Sequence, residues 1–250
     1  MIILKSPHEL EKMAEAGRIV AATRRRVLEG VRPGITTAEL DAIAEEHIRS
    51  NDAVPSFKGY RGFPASICAS VNEELVHGIP GSRVLLEGDL LSLDFGAIWE
   101  GYHADSAVSV FVGGMPPSGE AEKLVRVTED ALEAGLSQVR EGGRLTDIAH
   151  AVQQVVEGAG FGVVREYVGH GIGQSLHEDP PVPNYGEPGR GPELRSGMAL
   201  AVEPMVTLGD FATKVLDDDW TVVTQDGSLC AHFEHTVALT EGGPQILTAD

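Results

Sequence analysis

Leu40, Ile43, Ala44 and Ile48 recur at three- and four-residue spacing, which places them on one face of a helix. Thr36 and Glu39 stand ahead of that stripe as a capping box, each side chain accepting from the other's backbone N–H. A second capping box, Ser6-Pro7-His8-Glu9, has proline at the first helical position and opens a helix expected to run to about Gly30. Leu124, Val127, Ala131, Leu132 and Leu136 form the stripe of a third helix, about 119–140, and a fourth covers 145–157. Residues 66–112 carry short apolar runs and read as a mixed strand region. The remainder reads as strands and loops, and no low-complexity linker marks a domain boundary.

The two halves of this pattern match each other. VRPGITTAEL at 31–40 aligns without gaps on VREGGRLTDI at 139–148. GDLLSLD at 88–94 aligns on GMALAVE at 197–203, and HADSAVSV at 103–110 on HFEHTVAL at 232–239. Gly113-Gly114 then falls on Gly242-Gly243. Three matches in one order predict a duplicated unit of helices and strands, with about twenty residues inserted between Glu203 and Glu234.

Duplication puts four carboxylates in symmetric places. Asp94 and Glu203 are each expected to end an apolar strand, LLSLD and ALAVE. Asp105 and Glu234 each sit in an H-x-(D/E) triplet ahead of another strand. An acid among apolar strand residues carries a heavy desolvation cost unless it is paired or holds a cation. A hairpin turning at Trp99-Glu100 would set Asp94 directly opposite Asp105, with Cβ atoms roughly 5 Å apart. Like charges that close repel, and a divalent cation converts the repulsion into binding.

Charge and composition narrow the partners. The chain has 250 residues, 42% of them hydrophobic, enough for a sizeable core. Its formal net charge of −19 argues against wide contact with nucleic acid or an anionic membrane, which needs clustered Lys and Arg. The one basic run, Arg24-Arg25-Arg26, is expected to be a solvated helix face. The N-terminus lacks the apolar core of a signal peptide, and no run of 18 apolar residues exists to span a bilayer. Cys68 and Cys230 do not make a disulfide framework. These features predict a soluble cytoplasmic protein.

The stretch GHGIGQSLHEDP, 169–180, can complete the shell around the acids. H-G-I occurs twice, as His77-Gly78-Ile79 and His170-Gly171-Ile172, each ahead of its half's carboxylates. Glycine there allows backbone bends that bring a histidine to a crowded centre. Two Asp, two Glu and one His make an oxygen-rich set, better suited to Mn²⁺, Fe²⁺ or Co²⁺ than to a structural zinc. Acids able to bridge suggest two ions roughly 3.5–4 Å apart with a hydroxide between them. Spacing alone leaves open whether His77 is also a ligand. His8, His47 and His150 read as ordinary helix-surface residues.

Several motifs together resemble the type I methionine aminopeptidases in their short bacterial form, over nearly the whole chain. They are Y-x-G-F-P at 60–64, CASVNEELVHGIP at 68–80, DFG with GYHAD, VVREYVGHGIGQSLHEDP, AVEPM, and DDDWTVVT ahead of HFEHTV. The resemblance implies a pita-bread fold of the creatinase/aminopeptidase type. That is a single α+β catalytic domain of two pseudo-symmetric halves, about 10–114 and 119–243, with helices on the outer face of a curved antiparallel sheet. It implies five ligands, Asp94, Asp105, His170, Glu203 and Glu234, holding two divalent ions (Co, Mn, Fe or Zn), with Asp105 and Glu234 bridging. His77 and His177 would handle substrate and Glu203 would shuttle a proton. Phe57, Tyr60, Phe63, Cys68, Leu176 and Trp220 would form the methionine pocket, although pattern alone would class them as core.

The same resemblance implies a monovalent ion, Na⁺ or K⁺, held by carbonyls near Asn72, Glu74 and Cys230. It implies a cytoplasmic monomer acting on N-termini of nascent polypeptides and methionyl peptides with a small second residue, in transient contact with the ribosome. Leu176 stands where the family often has a larger aromatic, and Arg61 where it often has another polar residue; both would touch the pocket rim. Three readings compete. Proline-specific aminopeptidases and prolidases share the five ligands but carry a large extra N-terminal domain, for which the early start of the first half-repeat leaves no room. Type II enzymes carry a long insertion between the positions of His177 and Glu203, which have only 25 residues between them here. A non-catalytic binding protein of the same fold would have no reason to keep all five ligands.

Overall fold

The capping boxes form as the sequence predicts. In the computed structural model, which describes residues 1–249, α1 runs Pro7–Leu28 and α2 Thr37–Ser50. Ser6 and Thr36 each exchange hydrogen bonds with the glutamate three residues on. α3 spans Gly119–Leu136 and α4 Leu145–Gly158, so the third helix stops about a turn before the predicted end.

The strands that position the site are β1 Ile67–Val71, β2 Leu90–Trp99, β3 Tyr102–Phe111, β4 Gly169–Gly171 and β5 Glu178–Val182. They continue with β6 Ala199–Val202, β7 Met205–Thr207, β8 Cys230–His232, β9 His235–Thr240 and β10 Gly243–Ile246. β2 is central to one antiparallel sheet, with β3 on one side and β1 and Val54–Pro55 on the other. A second antiparallel sheet has the order β10-β9-β6-β4-β5. β3 joins the two sheets. Ala107 and Glu234 exchange backbone hydrogen bonds, Asp105 N–H donates to Thr236 Oγ1, and Ser109 Oγ donates to the His232 carbonyl. α1 and α2 cover the first sheet over a core that includes Ile19, Leu40, Leu93 and Phe95. α3 and α4 cover the second over Leu132, Ile148, Leu200 and Val202.

Four expectations need correction. The β2–β3 hairpin turns at Glu100-Gly101, both with positive φ (45° and 83°), and pairs Asp94 with Ala107 and Asp105 with Gly96. A two-residue turn of this type needs left-handed backbone at both centres, which Gly101 accepts readily and the bulky Trp99 does not. Asp94 and Asp105 are therefore diagonal neighbours on one face rather than directly opposed. Neither of the two sits where the sequence suggested, whereas Glu234 does, immediately ahead of β9. Asp94 lies mid-strand, because β2 runs on past a close approach at Gly96, where a Cβ would come within 2.7 Å of Ser56. Asp105 lies inside β3, and Glu234 in the break between β8 and β9. The basic run is not all solvated: Arg24 is buried and donates to Ser106 Oγ at 2.7 Å. Finally, His47 and His150 are half-buried with partners, Thr23 Oγ1 and the Gly186 carbonyl, while His8 is exposed.

The segment between Glu203 and Glu234 is structured. β7 pairs with β8 and with Gly162–Val163. Thr213–Val215 and Val222–Thr224 form a hairpin, and its second strand pairs with Glu74–Val76, immediately before His77. This insertion thus fixes one side of the cavity described next.

Candidate metal centre and substrate cavity

All five residues of the expected ligand set line a single cavity of about 160 Å³. Asp94 and Asp105 project from neighbouring strands, His170 from β4, Glu203 from the end of β6 and Glu234 from the break after β8. The backbone ladder between Ala107 and Glu234 holds the two sheets so that Asp105 and Glu234 meet. Ligand atoms of Asp105, His170 and Glu234 all lie within 4.8 Å of one another. His170 Nε2 is 3.9 Å from Asp105 Oδ2 and 3.7 Å from Glu203 Oε1.

Electrostatics make this cluster costly as it stands. Burial, with the neighbouring acid charges adding to it, pushes Asp94, Asp105, Glu203 and Glu234 well above the usual carboxylate range. Asp94 Oδ1, Asp105 Oδ1 and Glu234 Oε1 are buried without a hydrogen-bond partner. Orphaned buried carboxylate oxygens facing one another are what a divalent cation would satisfy, so the donor set fits a metal.

His170 is prepared for that role. Its Nδ1 lies 2.9 Å from the Gly171 carbonyl, which can only accept, so Nδ1 carries the proton and Nε2 presents a lone pair. Burial holds its pKa down to about 3, which keeps it neutral. The flanking glycines are required by close approach. A Cβ at Gly169 would meet the Ala201 carbonyl at 2.3 Å, and one at Gly171 the Asp179 carbonyl at 2.1 Å.

His77 and His177 line the same cavity, and among the described residues neither forms an ion pair with the acids. His77 has a left-handed backbone, φ 60°, and the next residue, Gly78, approaches the Ala69 carbonyl too closely for a Cβ. Its ring lies edge-on to Tyr167 and Trp220 at 6.0 and 6.2 Å, and burial lowers its pKa to about 4. His177 stacks on Tyr60 with centroids 5.3 Å apart, and its Nδ1 lies 2.9 Å from the Tyr60 hydroxyl. Its ring is 4.1 Å from that of His170, and partial burial, then Arg61, lowers its pKa. The apolar wall comprises Phe57, Tyr60, Phe63, Cys68, Leu176 and Trp220, with Phe63 edge-on to Trp220 at 5.1 Å. Arg61 lines the same cavity at its exposed edge. Asn72 and Cys230, which do not line it, meet each other: Cys230 N–H donates to the Asn72 carbonyl at 3.1 Å, beside the strand that begins at Glu74.

Sequence reasoning passed over two groups here. Asn184 Nδ2 donates to the Glu203 carbonyl, and nothing in its surroundings in the sequence signals it. His232, buried, places Nε2 3.7 Å from Glu203 Oε2. It opens the same H-x-(D/E) triplet as Glu234, so the motif contained the signal.

Comparison with known proteins gives the same picture. The profile of metallopeptidase family M24 matches residues 11–241. Methionine aminopeptidase 1 of Bacillus subtilis (strain 168) is 58% identical over 248 residues, covering 99% of each chain. Methionine aminopeptidase of Clostridium acetobutylicum is 55% identical over 249 residues, again covering 99% of each. The crystal structure of methionine aminopeptidase from Thermotoga maritima superposes over the whole of both chains with a TM-score of 0.97 at 47% identity. Prolidase from Pyrococcus furiosus, 22% identical, shares the pita-bread fold with a TM-score of 0.81, but this chain covers only 66% of it. The chain belongs to metallopeptidase family M24, among its methionine aminopeptidases of the short bacterial form.

Proposed function

We propose that this metallo-aminopeptidase removes the N-terminal methionine from nascent proteins and methionyl peptides by two-metal hydrolysis of the first peptide bond, favouring a small second residue. One observation carries the reading: a single cavity is lined both by the four carboxylates with His170 and by a wall of aromatic and apolar side chains. Asp94, Asp105, His170, Glu203 and Glu234 would hold two divalent ions, Co, Mn, Fe or Zn, with Asp105 and Glu234 shared between them. When bound, such ions polarise the scissile carbonyl and lower the pKa of water.

The chain's own residues do the rest. Phe57, Tyr60, Phe63, Cys68, Leu176 and Trp220 take the methionine side chain. His177, held by Tyr60, donates to the oxygen that becomes negative as the carbonyl is attacked. Glu203 accepts a proton from the attacking water and passes it on, and its raised proton affinity suits that task. His77, neutral at pH 7, assists the departing amine. A monovalent ion, Na⁺ or K⁺, near Asn72, Glu74 and Cys230 belongs to the same reading, supported by the meeting of Asn72 and Cys230. So does one catalytic domain of two half-repeats, about 10–114 and 119–243, supported by the shared order of two helices followed by paired strands. A cytoplasmic monomer in transient ribosome contact rests on the family alone; among the described residues no helix is long and apolar enough to cross a membrane.

The test uses chelator-treated protein reconstituted with Mn²⁺, Fe²⁺ or Co²⁺ and assayed on Met-Ala-Ser, Met-Leu-Ser and Ala-Pro-Ser. Methionine release from Met-Ala-Ser that requires added cation, with little from Met-Leu-Ser, is expected. Undiminished activity after exhaustive chelation, or preferred cleavage before proline, would overturn it.

A further inference from the structure

Two imidazoles flank the Glu203 carboxylate, one at each oxygen: His170 Nε2 lies 3.7 Å from Oε1 and His232 Nε2 lies 3.7 Å from Oε2. They are not equivalent. The proton on His170 is committed to Nδ1 by the Gly171 carbonyl, so its Nε2 has none to donate. His232 Nε2 is buried and has no hydrogen-bond partner. Its backbone is fixed, since the N–H donates to Ser109 Oγ and the carbonyl accepts from the same hydroxyl. His232 also reaches a small chamber of about 90 Å³ behind Glu203, shared with His77, Tyr167 and Met205.

We propose that His232 is a positioning residue for Glu203, donating from Nε2–H to Oε2 and so fixing the carboxylate's rotation. Closing the 3.7 Å gap by roughly 0.7 Å gives an ordinary hydrogen bond, within reach of a small turn of the carboxylate. Beside an ionised Glu203, as a metal ligand is, the opposite tautomer would point a bare lone pair at a carboxylate oxygen with no proton between them. Glu203 has little besides these two rings to hold its carboxylate. Asn184 holds its main chain, and among the described residues, apart from His232, only His170, which has no proton to give, stands within 4 Å of its carboxylate as an ion-pair partner. In the reading above, Glu203 both holds metal and moves a proton, and a carboxylate with two tasks must keep one oxygen for each. The inference rests on that reading for its consequence in turnover, but the hydrogen bond itself does not.

The experiment has three parts on the full chain. Nitrogen-15 NMR of the Zn²⁺-loaded protein, with His232 assigned by its loss in His232→Gln, should show Nε2 protonated; an unprotonated Nε2 overturns the proposal. His232→Leu, which removes the donor, should lower kcat by about 10- to 100-fold with little change in KM, and weaken Mn²⁺ binding measured by calorimetry. His232→Gln restores a donor amide and should recover kcat to within a few-fold of wild type. Wild-type kcat in His232→Leu, or a His232→Gln as impaired as His232→Leu, would show that the ring serves only packing. Should His232→Leu not fold, the tautomer and the Gln variant decide the matter. Failure of the unmodified protein to release methionine would count against the functional reading, while the tautomer and metal affinity would still test His232.

Discussion

At the scale of single residues, the division of labour among the histidines is the sharpest consequence of the geometry. His170 offers its Nε2 lone pair to the acid cluster, whereas His177 is held by the Tyr60 hydroxyl and His77 sits edge-on to Tyr167 and Trp220. His170→Ala is expected to lose bound metal. His177→Ala and His77→Ala are expected to keep metal stoichiometry while kcat falls by about 10² or more, the scale of removing one oxyanion donor. Metal content by elemental analysis, set beside kcat for all three, checks the split; equal metal loss in His177→Ala and His170→Ala would contradict it. Asp105→Ala and Glu234→Ala, which remove an acid proposed to be shared by both ions, should each leave one cation site instead of two by calorimetry. These candidates could be named from the sequence because desolvation forbids four lone acids among apolar strands, whatever their exact register. The role of His232 could not, since a 3.7 Å approach to Glu203 depends on how β8 meets the end of β6.

At the scale of elements, local chemistry was legible and distant pairing was not. Both capping boxes form, because the hydrogen bonds involved span three residues and need no tertiary contact. The β2–β3 register was misplaced because a two-residue turn with two left-handed residues selects Glu100-Gly101 over Trp99-Glu100. Gly101→Val, placing a β-branched residue at φ 83°, is expected to destabilise the fold by about 1–3 kcal/mol. Thermal or urea unfolding of the variant measures this, and an unchanged midpoint would show that the turn does not set the register. Gly171→Ala tests a different constraint. Its Cβ would meet the Asp179 carbonyl at 2.1 Å, so β4 must shift from β5 and take His170 with it. Weaker metal binding is the expected readout, and unaltered affinity would show that β4 can shift without moving His170.

At the scale of the whole molecule, the buried acids couple stability, pH and metal. Asp94, Asp105, Glu203 and Glu234 have folded-state proton affinities raised above their unfolded values. Their contribution is therefore fully present below the unfolded carboxylate range and lost as pH rises through the raised folded values. His77, His103, His170 and His232, held at about 3 to 4, act oppositely, but only below about pH 6.5. Between pH 6.5 and 8.5 the chelator-treated protein should accordingly melt at lower temperature as pH rises. Added Mn²⁺ should raise the melting temperature more at the upper end, with protons released on binding at pH 7. Calorimetry in buffers of different ionisation enthalpy reads the proton count, and no release would show that the acids are already ionised. The sequence by itself determined the helices, the inventory of acids and histidines, and the motifs that carry the family resemblance, since these depend on residue type, short spacing and order. Tertiary structure alone decided that Asp94 and Asp105 are diagonal, that Arg24 is buried, that the insertion's strand sets His77, and that Phe57, Tyr60, Phe63, Cys68, Leu176 and Trp220 line a cavity as well as packing in the core. An apolar residue has the same reason to leave water in either place, and only the packing of distant strands determines which side of a wall it faces.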